Sequence, residues 1–385
     1  MKEIYYFDNA ATTPLHPEVL SVVTDTLATI YGNPSSLHSV GRKAKQVLVE
    51  ARTSIAEHIG AHPEEIIFTS GACEGNSLAI KGYMEHHKDT VLITTPIEHA
   101  SIAALCRQQS DLVRYVPVDW HGFVDLDGLH ELCRKEYLEG TGHLLVSIQA
   151  ANNEIGTIQN LKEISAIVHQ YKGIFHTDAT QLFPYEALDV KKLGIDMLSM
   201  SGQKINAPKG IGFLYVREGI SLTPFSYGSQ MEGRRGGTEN IPYIAGLAKA
   251  VQLLDYNNVS MSRMQDYLIS RLRRWEDDFI INGSFVHRLP NNLSISFRNI
   301  EGEALAMLLD CKGICVSTAS ACSTGSPEAS RVLQAIHVPE EYINGTIRIS
   351  LPRDITRKDI DYFTDTLHTC LIQLRHLTRY ENADA

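Results

Sequence analysis

Apolar and polar positions follow two alternating regimes along most of the chain. Short, β-rich runs of nearly continuous apolar residues are separated by longer stretches with helical period. The runs are EIIFTS (65–70), TVLITT (90–95), LVRYVPV (112–118), HLLVSIQ (143–149), GIFHTDA (173–179), MLSMS (197–201) and IGFLYV (211–216). Strands this apolar must be covered on both faces, so the pattern predicts an α/β chain with a mostly parallel seven-stranded sheet between helices. The seventh run follows the sixth too closely for a crossover helix and is expected to run antiparallel. Beyond about residue 255 the regime changes. An Arg-rich helical stretch over 261–278 leads to three strand candidates, LSISFRN, ICVSTAS and TIRISL, with helical EGEALAMLLD between the first two. A smaller α+β domain is expected there. The predicted division is a large domain over 16–255 and a small domain built from 1–15 and 256–385.

Composition narrows the function classes. The chain has 385 residues, with 35 basic against 45 acidic, a formal charge of −10. That balance gives no support to direct nucleic-acid binding through a basic surface. The opening MKEIYYFDNAATTP lacks the apolar run of a signal peptide, and no stretch approaches the roughly 20 apolar residues of a membrane span. The seven cysteines are odd in number and scattered. They read as reduced thiols in a cytosol-like (cytoplasmic) compartment rather than a disulfide framework. Cys311 and Cys315 have no second pair to complete a zinc site, so no metal is expected.

Candidate chemistry gathers just past the ends of the proposed strands. SGACEGN (70–76) joins a strand to a helical run, and its small residues suit either an anion-binding turn or a plain capped turn. IEHAS, ANNEIG, HTDATQ and SGQK each follow another strand, and in open α/β sheets ligands collect at that edge. Singly, His99, Asp178 and Lys204 are ordinary residues: a structural histidine, a helix cap, a solvated lysine. Together they match what pyridoxal phosphate (PLP) requires. A carboxylate keeps the pyridine nitrogen protonated and a lysine forms the Schiff base.

Two further features stand apart. Cys322 lies in STASACSTGSPEASRVL, among small polar residues where a thiol is accessible as a nucleophile, although an incidental exposed cysteine would look the same. Arg348 is a lone arginine on an apolar strand and needs an anionic partner, for which a substrate carboxylate is suitable. The loop EGRRGGTEN carries Arg234, Arg235 and Thr238, and fits a phosphate, another subunit or solvent.

The blocks FDNAATTP, YGNPSSLHSVGR, EIIFTSGACEGN, IEHAS, ANNEIGTIQ, HTDATQ, SGQKINAPKGIG, GGTEN, SACS and IRISL are spread along nearly the whole chain. With them it resembles the cysteine desulfurases of the nitrogen-fixation and iron–sulfur-assembly type, in the class V aminotransferase group with PLP fold type I. The resemblance implies a homodimer that converts L-cysteine to L-alanine and a Cys322 persulfide, for transfer to a protein sulfur acceptor. It implies that Lys204 carries the cofactor and moves protons, and that His99 stacks on the ring and acts in acid–base steps. Asp178 would pair with the ring nitrogen, and Gln181 and Asn153 would contact the ring oxygen and the substrate. Ala72, Cys73, Ser201 and Gln203 would hold the phosphate, with Thr238 reaching it from the partner chain. Asn33 and Arg348 would take the substrate carboxylate.

Three positions depart from the family's habit: Cys73 where threonine is usual, Gln203 where histidine is usual, and Gly236 where serine is usual. A thiol is a poor donor to phosphate. These departures suit a divergent branch, such as one serving nucleic-acid sulfur modification. Selenocysteine lyase activity is the nearest alternative, and a PLP-fold scaffold inside a sulfur-transfer complex is an alternative of another class.

Overall fold

A computed structural model describes residues 4–139, 142–318 and 330–381, with side chains described through residue 376. In chain order its strands are β1 (Tyr5–Tyr6), β2 (Ile66–Thr69), β3 (Val91–Thr94), β4 (Val113–Tyr115), β5 (Leu144–Ser147), β6 (Ile174–Asp178), β7 (Met197–Ser201), β8 (Gly212–Val216), β9 (Phe279–Asn282), β10 (Asn292–Phe297), β11 (Ile314–Cys315), β12 (Ser317–Thr318) and β13 (Thr346–Ser350). A seven-stranded sheet runs in the order β2-β8-β7-β6-β5-β3-β4. Only β8 runs against the others, pairing antiparallel with both β2 and β7. Its position follows from its short connection, which leaves no room for the helix that a parallel crossover needs.

The large sheet is dry because helices cover it. β2, β3 and β5 are buried at every residue, and helix Ala72–His86 packs on β7 and β8. A second core lies around the antiparallel sheet β12-β13-β10-β9, with Leu293, Ile295, Ile347 and Ile349 facing Phe363 and Leu367 of helix Arg357–Glu381.

The N-terminal segment belongs to this second core. β1 pairs parallel with β11, and Phe7 is buried in an edge-on contact with Phe363 at 5.3 Å. Burying such a ring contributes roughly 1.5–3 kcal/mol. The segment then bridges to β13 between Asp8 and Ser350. A charged residue near the start of the chain is thereby set beside the strand that carries Arg348.

Three local expectations need correction. The Arg-rich helix ends at Leu272, not near 278, and β9 follows it as an additional strand. ICVSTAS is not one strand: β11 and β12 flank Val316 and join different sheets. Two neighbours on different sides, the N-terminal segment and β13, each claim one half of the run. LVRYVPV also shortens to β4, because the chain reaches Pro117 soon after it.

Candidate active site

The C-terminal ends of the parallel strands converge on a cavity of about 480 Å³. From β2 the chain enters helix Ala72–His86 through Gly71, whose φ of +149° and ψ of −178° suit glycine alone. Space is also restricted there. A Cβ on Gly212 of β8 would fall 2.8 Å from Gly71 Cα and 2.3 Å from Met200 O. Two glycines therefore let β8 press against the turn and aim the helix N-terminus at the cavity. No side chain caps that terminus, so its first N–H groups remain available to an anion.

The other walls come from neighbouring strand ends. His99 follows β3, Asn153 follows β5, Asp178 ends β6 with Gln181 just beyond, and Ser201 ends β7. Gln203 and Lys204 lie on a single 3₁₀ turn after β7. Ten expected residues thus line one cavity: Ala72, Cys73, His99, Asn153, Asp178, Gln181, Ser201, Gln203, Lys204 and Arg348. Asn33 and Thr238 are exposed and do not line it. Cys322 lies outside the described residues.

The electrostatics are specific. Asp178 is buried, accepts from Asn76 Nδ2 at 2.7 Å and from the Thr180 amide at 3.0 Å, and belongs to no ion pair among the described residues. A buried carboxylate without a cation calls for a cationic or N–H-bearing ligand group. Lys204 Nζ donates to Ala10 O at 2.7 Å and also to Ala11 O. Burial and the Lys204 charge lower the His99 pKa while Asp178 raises it, and the net shift is downward. His99 is therefore neutral at ordinary pH. Partial enclosure of the Cys73 sulfur first, and then the Asp178 charge, push this otherwise exposed thiol up. The set fits PLP: an uncapped helix N-terminus for phosphate, an uncompensated buried carboxylate for the ring nitrogen, and a lysine amine for the aldehyde.

Arg348 is more occupied than expected. It donates to Asp8 Oδ1 at 2.9 Å and to Asn153 O at 3.1 Å, and its buried Nε has no partner among the described residues. Asp8 also lines the cavity, and the sequence reading assigned it no role. The available signal was the lone arginine itself, since an arginine so buried needs a carboxylate close by. Asn76 and Ser101, inside two of the quoted blocks, were missed as well.

Beside His99, Glu98 is fully buried and accepts from Thr95 Oγ1 at 2.7 Å and from the Gln149 amide at 3.0 and 3.1 Å. Burial outweighs these bonds and pushes its pKa up to about 8. The folded chain therefore holds a proton that the unfolded chain releases near pH 4.5. The stabilisation is complete below that pH and is lost as pH rises toward 8, with a slope approaching about 1.4 kcal/mol per pH unit. Glu98→Gln keeps one oxygen acceptor and should abolish that slope. Urea unfolding of both proteins from pH 5 to 8 checks this, and parallel stability curves would refute it.

Comparison with known proteins agrees with the geometry. The family model for aminotransferase class V matches residues 5–363. A curated relative from Dictyoglomus turgidum, named cysteine desulfurase IscS, is 41% identical over 99% of this chain and 98% of its own length. A solved structure described as a NifS-like protein superposes with a TM-score of 0.88 at 35% identity, covering 96% of this chain and 100% of its own. Another, described as SspA in complex with cysteine, gives a TM-score of 0.79 at 33% identity, covering 90% of this chain and 99% of its own. With its fold, cavity and full-length similarity in agreement, the chain belongs to the aminotransferase class V family and is a homologue of the cysteine desulfurases within it.

Proposed function

We propose that this chain is a PLP-dependent cysteine desulfurase that takes sulfur from L-cysteine and passes it, as a Cys322 persulfide, to a protein acceptor. The observation that carries this reading is the entry of Lys204, the unpaired carboxylate of Asp178 and the buried Arg348 into one cavity. Full-length similarity to cysteine desulfurases and to a cysteine-bound relative supports the substrate. The free cysteines among the described residues suit a cytoplasmic protein, the family resemblance implies a homodimer, and the division is 16–255 as the large domain and 1–15 with 256–385 as the small one.

The residues divide the work as follows. The N–H groups of the turn at Ala72 and Cys73, with Ser201 and Gln203, would hold the phosphate. Asp178 would accept a hydrogen bond from the ring N–H, His99 would cover the ring, and Gln181 and Asn153 would meet its oxygen and the substrate. When bound, PLP supplies an electron sink that makes the substrate Cα–H bond acidic. Lys204 Nζ takes the Cα proton. Arg348 would orient the substrate carboxylate; Asn33, which the resemblance also implies for it, does not line the cavity of its own chain. The Cys322 thiolate then attacks the substrate sulfur. An S–S bond forms as the C–S bond breaks, and the electron pair stays on substrate Cβ, which takes a proton to become the methyl group of alanine, while Lys204 Nζ returns a proton to Cα. No external oxidant is needed, because the thiol is oxidised as the carbon is reduced.

Incubation with L-cysteine, without added thiol, should give one alanine per protein-bound persulfide. Borohydride should fix the cofactor to the peptide containing Lys204. Alanine formed from selenocysteine but not from cysteine would replace the sulfur reading by the selenium one.

A further inference from the structure

One fully buried side chain, Asn76, joins the two residues assigned to the cofactor ring. Its Nδ2 is 2.7 Å from Asp178 Oδ2 and 3.1 Å from Ser101 Oγ. The carboxylate accepts only, so the amide must point its nitrogen this way, and its two N–H bonds serve two acceptors. Ser101 Oγ thereby receives a hydrogen and keeps its own for His99 Nδ1, 2.9 Å away. The Ser101 amide also donates to that same Nδ1, at 3.2 Å. Two donors converge on one imidazole nitrogen, which therefore carries no hydrogen.

We infer that Asn76 and Ser101 are positioning residues that lock His99 in its Nε2–H tautomer and tie that choice to the placement of Asp178. The inference rests on the reading of Asp178 and His99 as the cofactor-facing pair. Its consequence is chemical. Nδ1 is blocked, so the neutral ring has no free lone pair for the cavity. His99 meets the ligand with an N–H donor, and proton abstraction is left to Lys204.

The test uses ¹⁵N-histidine NMR on the cofactor-free chain, with the His99 signal identified among 16 histidines by its loss in His99→Gln. Wild type should show the Nε2–H form alone above its titration midpoint. Ser101→Ala leaves only the longer backbone donor and should give a measurable mixture of tautomers. In the loaded enzyme it should lower kcat by about tenfold, the worth of one hydrogen bond, with KM within about twofold. Ser101→Thr keeps the hydroxyl and should restore both. Asn76→Asp draws the Ser101 hydroxyl away from His99 and should shift the tautomer in the same direction, so the inference stays testable if Ser101→Ala folds poorly. A wild-type tautomer in Ser101→Ala or in Asn76→Asp would overturn it. Because the spectra need neither substrate nor turnover, an inactive wild type with the expected tautomer would refute the desulfurase reading and leave this one standing.

Discussion

Cys322→Ser is expected to bind PLP and L-cysteine as the parent does, yet to form alanine at least about a thousandfold more slowly. The loss follows from charge. A thiol is partly ionised near neutral pH and strongly nucleophilic, whereas a serine hydroxyl without a base stays neutral. Four of the other six cysteines, with raised thiols, are poor substitutes, and Cys311, though exposed, does not line the cavity. Burial pushes Cys106 up to about 11 and Cys133 up to about 12, and Cys370 is buried and raised as well. Cys315 is raised by partial burial and by Asp310. The serious rival is Cys73, because it lines the cavity. Partial enclosure and the neighbouring Asp178 push its thiol up, and it stands in the turn assigned to the phosphate. The experiment compares alanine release and the cysteine-induced change in cofactor absorption for Cys322→Ser and Cys73→Thr. The first should lose release and keep the absorption change; the second should keep both. Undiminished release from Cys322→Ser, with release lost in Cys73→Thr, would transfer the nucleophile to Cys73.

The two larger sheets differed in how far their residues revealed them. The large sheet was legible because β2, β3 and β5 are dry on both faces, and a dry strand has to be written as an unbroken apolar run. The antiparallel course of β8 could be read from connection length alone. Non-local partners hid the rest. β11 and β12 look continuous until the N-terminal segment takes one half and β13 the other. FIIN at β9 follows directly on a polar helical pattern, and four residues are too few to show a period. At the site the same limit separates reacting groups from their supports. Lys204, Asp178 and His99 follow recognisable strand ends. Asp8 reaches Arg348 only because the segment around it docks on β13, some 340 positions away. Nothing near Asp8 in the sequence points to that partner. Asn76 and Ser101 are equally ordinary polar residues until the fold sets both against one carboxylate and one imidazole.

Pairing two inactive chains, Lys204→Ala and Thr238→Arg, should restore activity if the site is shared across a homodimer. Thr238 is exposed and does not line the cavity of its own chain. Around its loop, Tyr227 is 83% and Phe225 43% exposed, and Tyr31 and Leu37 are 80% and 90% exposed elsewhere on the surface. Large apolar side chains this open favour cover by a partner. The loop is nevertheless tied to its own turn. Arg235 Nε is 3.0 Å from Glu74, which in turn accepts from the Ser70 amide at 2.6 Å. Service to its own cavity is therefore a physical rival. The mixed dimer separates the two. If Thr238 crosses, the chain with intact Lys204 receives an intact Thr238 from its neighbour. One site is sound and the other carries both lesions, so simple counting gives roughly half of wild-type activity per heterodimer. If Thr238 serves its own chain, every site carries one lesion and no activity returns. Two affinity tags select the heterodimer, and alanine release measured on it decides between these outcomes. Arg235→Ala, combined with intact Thr238, adds a check on the tether. If Thr238 crosses, releasing the loop from Glu74 should weaken PLP binding in the neighbouring site of that heterodimer, where the threonine would meet the phosphate.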